Sequence, residues 1–243
     1  MRELWPGIDA FLFDLDGVLT PTADLHRRAW AATIGPFLED PKNGDGTVFA
    51  PYSDDDYFRY IDGKPRFEGV ASVLESRGVR LPFGSISDPP GDGSVGALGN
   101  RKNAEFARLL AEGGVDPYPG TVEVLDALAA AGKRLAVVSS SKNAVPVLQA
   151  AGLAGRFGLI VDGVLAARRH LAGKPSPETF LYAARHFGVP AGAAAVVEDA
   201  ISGVEAGRAG TFGLVVGVDR GVGAQALRAA GATVVIDDLR ALL

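Results

Sequence analysis

The chain has 243 residues, of which 47% are apolar and 22% charged, with a net charge of -5. This is the balance of a globular protein with room for one large domain or two smaller ones, and it argues against nonspecific nucleic-acid binding while leaving small anionic substrates open. Cysteine is absent, which excludes disulfides and thiolate metal sites; no signal-type segment precedes Asp14 and no apolar run reaches spanning length, so a cytoplasmic protein without a membrane partner is expected.

The first element is an apolar run, Phe11-Leu12-Phe13, read as a buried strand that ends in Asp14-Leu15-Asp16-Gly17. Two carboxylates two residues apart at the end of a buried strand are costly to hold unless a cation or a reaction employs them. Taken alone, the pair also fits a surface turn that stops the strand.

Helical patterns follow over residues 23–34, 54–61, 67–77 and 102–112, with no apolar strand between them. Residues 81–100, rich in Gly, Pro, Ser and Asp, read as a long loop. From residue 119 onward strands and helices alternate. Helices are expected over 121–131, 144–151, 176–187, 200–209 and 223–230, and strands over 135–138, 159–161, 194–197, 212–216 and 234–236. Each strand is apolar throughout, which indicates a parallel sheet covered on both faces. The predicted fold class is therefore α/β: a doubly wound parallel sheet interrupted after its first strand by a mainly helical insertion.

Four segments distant in sequence fall at strand ends or in the loops beyond them: Asp14 and Asp16, Ser139, Lys174, and Glu198 with Asp199. In an open parallel sheet the carboxyl ends of the strands share one edge, where ligands bind. Carboxylates, a hydroxyl and an ammonium gathered there suit phosphoryl transfer. An aspartate serves as nucleophile, Lys174 offsets charge, Ser139 binds phosphoryl oxygens, and oxygen-only donors suit Mg²⁺. Singly, Lys174 also fits a solvated side chain, Ser139 a strand-end cap, and Glu198-Asp199 a helix start.

In this order the four motifs resemble the haloacid dehalogenase superfamily: Asp14-x-Asp16-Gly17, Ser139, Gly173-Lys174-Pro175 and Glu198-Asp199. The second aspartate and the acidic pair are like those of its phosphotransferases rather than its dehalogenases. Further strings are similar to its β-phosphoglucomutase-like branch. The stretch from Asp14 to Trp30 carries the hinge residues Thr22 and His26. Gly63-Lys64-Pro65-Arg66 falls where the cap of that branch bears a phosphate-binding Arg. Arg101-Lys102-Asn103 looks like the start of a cap helix whose Lys reaches the sugar, and Ser139-Ser140-Ser141-Lys142-Asn143 matches the second motif with its flank. Two features depart from the pattern: Pro21 stands where an acidic residue is common, and the loop 81–100 has no counterpart.

The resemblance implies a Rossmann-like core over 1–22 and 113–243 with a helical cap over 23–112. It implies Asp14 as nucleophile, Asp16 as general acid/base, and Ser139 and Lys174 on the transferring group. Mg²⁺ would be held by Asp14, Glu198, Asp199 and the backbone carbonyl of Asp16. Substrate contacts are implied for Thr22, His26, Arg66, Lys102, Ser140, Ser141, Lys142 and Asn143. The expected partners are a sugar phosphate and glucose 1,6-bisphosphate, with a monomeric enzyme. A mutase needs a second cationic site for the distal phosphate, and Arg66 with Ser141, Lys142 and Asn143 is the candidate. A sugar-phosphate phosphatase on the same scaffold and a noncatalytic sugar-phosphate-binding module are the rivals.

Overall fold

The structure, a computed structural model, describes residues 5–43, 48–62 and 64–243; Gly63, part of the cap string noted above, lies outside them. The chain divides into two compact units, Met1–Thr22 with Val115–Leu243, and Ala23–Gly114. By sequence pattern alone the second boundary falls at 112–113.

The first unit holds six strands: β1 (Ala10–Phe13), β2 (Arg134–Val138), β3 (Leu159–Val161), β4 (Ala194–Glu198), β5 (Leu214–Val218) and β6 (Val234–Ile236). They form one sheet in the order β3-β2-β1-β4-β5-β6, and every pairing is parallel. Chain order runs outward from β1 to β3, then returns to the other side of β1 to continue through β6. The strand order therefore reverses beside β1, the position where open α/β sheets bind ligands. Leu12 lies level with Ala136 on one side and Val196 on the other. These three residues, with Ala10, Val138, Ala194 and Phe180, belong to one buried apolar cluster. Side chains alternate between faces along a strand, so a sheet apolar at every position must be covered on both sides.

The helices of this unit depart from the sequence expectations mainly at their ends. The helix expected from residue 176 begins later, as Glu178–His186, because Ser176 and Pro177 lie in the preceding turn. The strand expected over 212–216 is displaced to Leu214–Val218. A short helix, Gly163–Arg168, was not expected; the Asp162 side chain caps it by accepting from the backbone N–H groups of Val164 and Leu165.

The second unit is helical: α1 (Thr22–Glu39), whose first residue is shared with the core, α2 (Asp54–Asp56) running into a π-helical turn (Tyr57–Ile61), α3 (Arg66–Glu75) and α4 (Val95–Gly113). Sequence pattern ends α1 at residue 34, before Gly35 and Pro36, yet the helix passes through both. Trp30, Ile34, Phe37 and Leu38 repeat at helical spacing and join one buried cluster with Tyr57, Val70, Val73 and Leu98. Burial of this stripe outweighs the hydrogen bond that Pro36 removes.

Helix α4 begins seven residues earlier than its periodicity suggests, so the irregular segment ends at Ser94. The Ser94 hydroxyl accepts from Ala97 N–H as the N-cap. Gly96 and Gly99, which read as loop residues, are sites of close approach. A Cβ on Gly96 would lie 2.1 Å from the Ser85 carbonyl oxygen, and one on Gly99 would lie 2.8 Å from the Phe67 ring.

Asp56 ties the helical unit together. Arg77 donates to both of its oxygens, at 2.7 and 2.6 Å, and Ser53 donates to it from backbone and hydroxyl. The Arg77 fork is the chief reason that the Asp56 carboxyl is held below its ordinary pKa. The stabilisation is therefore complete above the pKa of an unfolded aspartate and is lost as pH falls through the lower folded value. Arg77→Ala, which strands Asp56, is expected to destabilise the protein by about 3 kcal/mol, and the deficit relative to the parent should shrink in denaturant melts carried into the acid range.

Candidate active site

All four chemistry-bearing segments lie in the first unit, and the parallel sheet sets their positions. Asp14 is one residue beyond β1, and its N–H continues the ladder to the Val197 carbonyl at 2.9 Å. Ser139 is one residue beyond β2, with its N–H on the Val161 carbonyl at 2.9 Å. Glu198 is the last residue of β4. Lys174 arrives from the loop ahead of the helix Glu178–His186, and its peptide bond to Pro175 is cis.

Lys174 is 4% exposed and Glu198 1% exposed. The ammonium donates to Asp14 Oδ1 at 2.5 Å, to Glu198 Oε1 at 2.5 Å and to the Val138 carbonyl at 3.0 Å. Its three protons are thus all used. Burial alone would lower the Lys174 pKa, but the Asp14 and Glu198 carboxylates hold it above its ordinary value and keep it charged. Burial pushes the Asp14 carboxyl up to about 8; the charges of Glu198 and Asp16 add to this, and Lys174 opposes it. The second oxygen of Glu198 accepts from the Ala200 N–H at 2.9 Å, so this side chain is fixed at both ends.

The two aspartates of the motif face different partners. Asp16 Oδ1 accepts from the Thr22 hydroxyl, and Oδ2 from the Ser139 hydroxyl at 3.4 Å. Thr22 is buried beside Thr20, with their hydroxyls 2.8 Å apart, and Thr20 also donates to the Leu15 carbonyl. A tight turn returns the Thr20 carbonyl to the Gly17 N–H at 2.8 Å. Asp14 is therefore bound to the lysine while Asp16 is oriented by hydroxyls, two environments that suit two different roles.

Asp199 is placed by a glycine. Gly17 has φ +92°, and a Cβ there would stand 1.9 Å from Asp199 Oδ2. Gly203 serves Glu198 in the same way, since a Cβ would stand 1.9 Å from Glu198 Oε1. Sequence reasoning missed Gly203; its signal is a glycine one helical turn past the acidic pair. Also missed was Arg220, which donates from Nε to the Gly17 carbonyl at 2.9 Å and stacks 3.9 Å over the Tyr118 ring. Nothing in its local sequence marks it, because its partner lies 203 residues away in the chain.

The segment after Ser139 forms successive hydroxyl-capped turns: Ser141 N–H donates to Ser139 Oγ and Asn143 N–H to Ser141 Oγ, both at 3.1 Å. Gly163 leaves room for it, since a Cβ there would lie 2.7 Å from the Ser140 carbonyl and 3.1 Å from the Lys142 side chain. Ser140, Ser141, Lys142 and Asn143 thus share one loop with Ser139.

The remaining candidates belong to the second unit. Lys102 is 3% exposed, with Nζ 2.5 Å from His26 Nδ1 and over the rings of Trp30 and Phe106. His26 stacks on Phe106 with ring centroids 4.1 Å apart. Lysine can only donate, so Nδ1 is the acceptor and the imidazole proton sits on Nε2. Arg66, the first residue of α3, lies 4.7 Å over the Phe67 ring and donates to Asn100 Oδ1 at 3.0 Å.

Among the described residues, no group of three or more His, Cys, Asp or Glu side chains is gathered so as to hold a metal ion by itself. An open magnesium site asks for less, one or two carboxylates with waters and substrate oxygens completing the octahedron. The donors here are oxygens only, and a carboxyl raised by burial and like charge is one that an added cation would ionise. The set fits such an ion.

A parallel sheet with a carboxylate–ammonium–carboxylate bridge at its switch point defines a phosphoryl-transfer class of α/β enzyme. The profile of the haloacid dehalogenase-like hydrolases matches residues 8–211, and the chain belongs to that family. It is 48% identical over 240 residues to a β-phosphoglucomutase of Mycobacterium bovis, covering 97% of this chain and 92% of that protein. It is 31% identical over 210 residues to the β-phosphoglucomutase of Bacillus subtilis, covering 86% and 83%. The crystal structure of a β-phosphoglucomutase from Clostridium difficile superposes with a TM-score of 0.77 at 26% identity, over 97% of this chain and 93% of that one. Among the described residues no helix is long and apolar enough to cross a membrane.

Gly17→Ala is expected to shift Asp199 and to lower turnover of a phosphate ester about a hundredfold, as small misplacements at a reacting centre do. Steady-state kinetics on a variant whose circular dichroism matches the parent will check this.

Proposed function

We propose that the protein is a Mg²⁺-dependent β-phosphoglucomutase that interconverts β-D-glucose 1-phosphate and glucose 6-phosphate through glucose 1,6-bisphosphate. The observation that carries this reading is the division of labour at the first motif. Asp14 is bridged through Lys174 to Glu198, while Asp16 is held apart by Thr22 and Ser139. The identity to β-phosphoglucomutases supports it.

In this reading an Asp14 oxygen bonds to phosphorus as the bond from phosphorus to the sugar oxygen breaks, and Asp16 gives its proton to that oxygen. In the other direction Asp16 takes the proton of the acceptor hydroxyl as that hydroxyl attacks the aspartyl-phosphate. Lys174 stays charged throughout and offsets the negative charge on Asp14 and the phosphoryl oxygens. Ser139 and the neighbouring N–H groups bind those oxygens. Asp14, Asp199, Glu198 and the backbone carbonyl of Asp16 would hold Mg²⁺, which when bound neutralises charge developing on the phosphoryl group. The distal phosphate is assigned to Arg66, with Ser141, Lys142 and Asn143, and the sugar to Lys102 and His26. The enzyme is read as a cytoplasmic monomer.

The family description as hydrolases favours a second reading, a sugar-phosphate phosphatase. A coupled assay with β-glucose 1-phosphate, Mg²⁺ and a trace of bisphosphate separates the two. The mutase yields glucose 6-phosphate; release of inorganic phosphate without it overturns the mutase reading. Asp14→Ala is expected to abolish both products. Dialysis against a chelator should remove activity and added Mg²⁺ restore it, and activity that survives chelation would refute the metal assignment. Arg66→Ala should lower mutase kcat/KM about a hundredfold while leaving hydrolysis of p-nitrophenyl phosphate within about twofold, because only the sugar bisphosphate needs a second cation.

A further inference from the structure

The segment 81–94, which no function has yet absorbed, is joined to Arg66 by two separate contacts. Arg66 is half-buried at the first position of α3, where the helix dipole disfavours a cation. Burial lowers its pKa, and among the described residues no carboxylate offsets that. Its Nε is buried with no hydrogen-bond partner among the described residues. A guanidinium placed against the dipole, half withdrawn from water and with no counterion among the described residues breaks local rules in the way that binding sites do.

Its two neighbours are both set by the loop. Asn100 turns its oxygen to Arg66 because its amide nitrogen is occupied, donating to the carbonyls of Asp88 at 2.7 Å and Ile86 at 3.1 Å. The Phe67 ring beneath the guanidinium packs edge-on against Phe83, with centroids 6.2 Å apart. The loop itself is braced. Asp88 Oδ2 accepts from the Ser85 N–H and the Ser94 hydroxyl, and Asp92 pairs with Arg101, which also donates to the Thr33 carbonyl. Gly99 leaves room for the Phe67 ring and the Arg66 stem.

We infer that the loop 81–94 is a positioning element for an anion site at Arg66, and that Asn100 is the positioning residue through which it acts. A neutral amide fixes the guanidinium without cancelling its charge, so the charge stays available to a phosphate. A carboxylate at the same point would orient Arg66 equally well but would neutralise it and repel the anion. The inference rests on the assignment of the distal phosphate to Arg66.

Calorimetric binding of glucose 1,6-bisphosphate, on an Asp14→Ala background that cannot transfer the phosphoryl group, tests it, with inorganic phosphate as the probe for the core. Asn100→Asp is expected to weaken bisphosphate binding at least about tenfold and to leave inorganic phosphate within about twofold. The surface substitution Phe83→Ala, which removes only the brace on Phe67, should weaken the bisphosphate about threefold. The uncharged substitution Asn100→Ala should also weaken the bisphosphate on its own but cost nothing further when added to Arg66→Ala, since both act through one guanidinium. Additive losses, or equal losses for bisphosphate and inorganic phosphate, would show a general effect on the fold and overturn the inference. Arg66→Ala weakening the bisphosphate while Asn100→Asp does not overturns the inference alone. Arg66→Ala without effect overturns the distal-phosphate assignment together with it. The assay for glucose 6-phosphate reads the mutase reaction separately.

Discussion

The buried ammonium of Lys174 is the interaction on which the core site depends. Two carboxylates from different strands and the carbonyl end of a third strand converge there, and none of the three would be tolerated so close without a cation among them. Such a bridge contributes little to net stability, because desolvation of the charges offsets most of their attraction. What it confers is geometry. It holds Asp14 at the end of β1 in one orientation and keeps Glu198 facing it, so that a reacting group meets prearranged charges rather than mobile ones.

Glycine provides the space around that bridge. Gly17 and Gly203 stand where a methyl group would collide with Asp199 and Glu198, and Gly163 admits the loop that follows Ser139. Each acidic side chain thereby packs closely against glycine backbone, which leaves fewer ways for it to move. Arg220, two residues beyond β5 on the same carboxyl edge, holds the Gly17 carbonyl. The helical unit treats the buried Lys102 and the half-buried Arg66 differently. Lys102 meets His26 and two aromatic rings, whereas among the described residues Arg66 meets an amide oxygen and one ring.

Strand placement was readable because each strand is a short apolar run bounded by turn residues, and the four motifs stand out by residue type alone. Errors gathered where local chemistry and packing disagree. Pro36 looks like a helix stop and lies within a helix, since Phe37 and Leu38 continue the buried stripe. Gly96 and Gly99 look like loop residues and lie in α4, because they are sites of close approach and not of flexibility.

The sequence by itself determined the alternation of elements, the helical insertion after the first strand, and the identity of the groups that the sheet's carboxyl edge carries. These follow from periodicity and residue chemistry, which act over a few neighbours. Only the tertiary structure decided that Lys174 bridges Asp14 and Glu198, that Asp16 turns instead to Thr22 and Ser139, and that a loop of unassigned purpose braces Arg66. Those contacts join residues far apart in the chain, and which of several possible partners a buried charge takes is settled by the three-dimensional packing that removes the others.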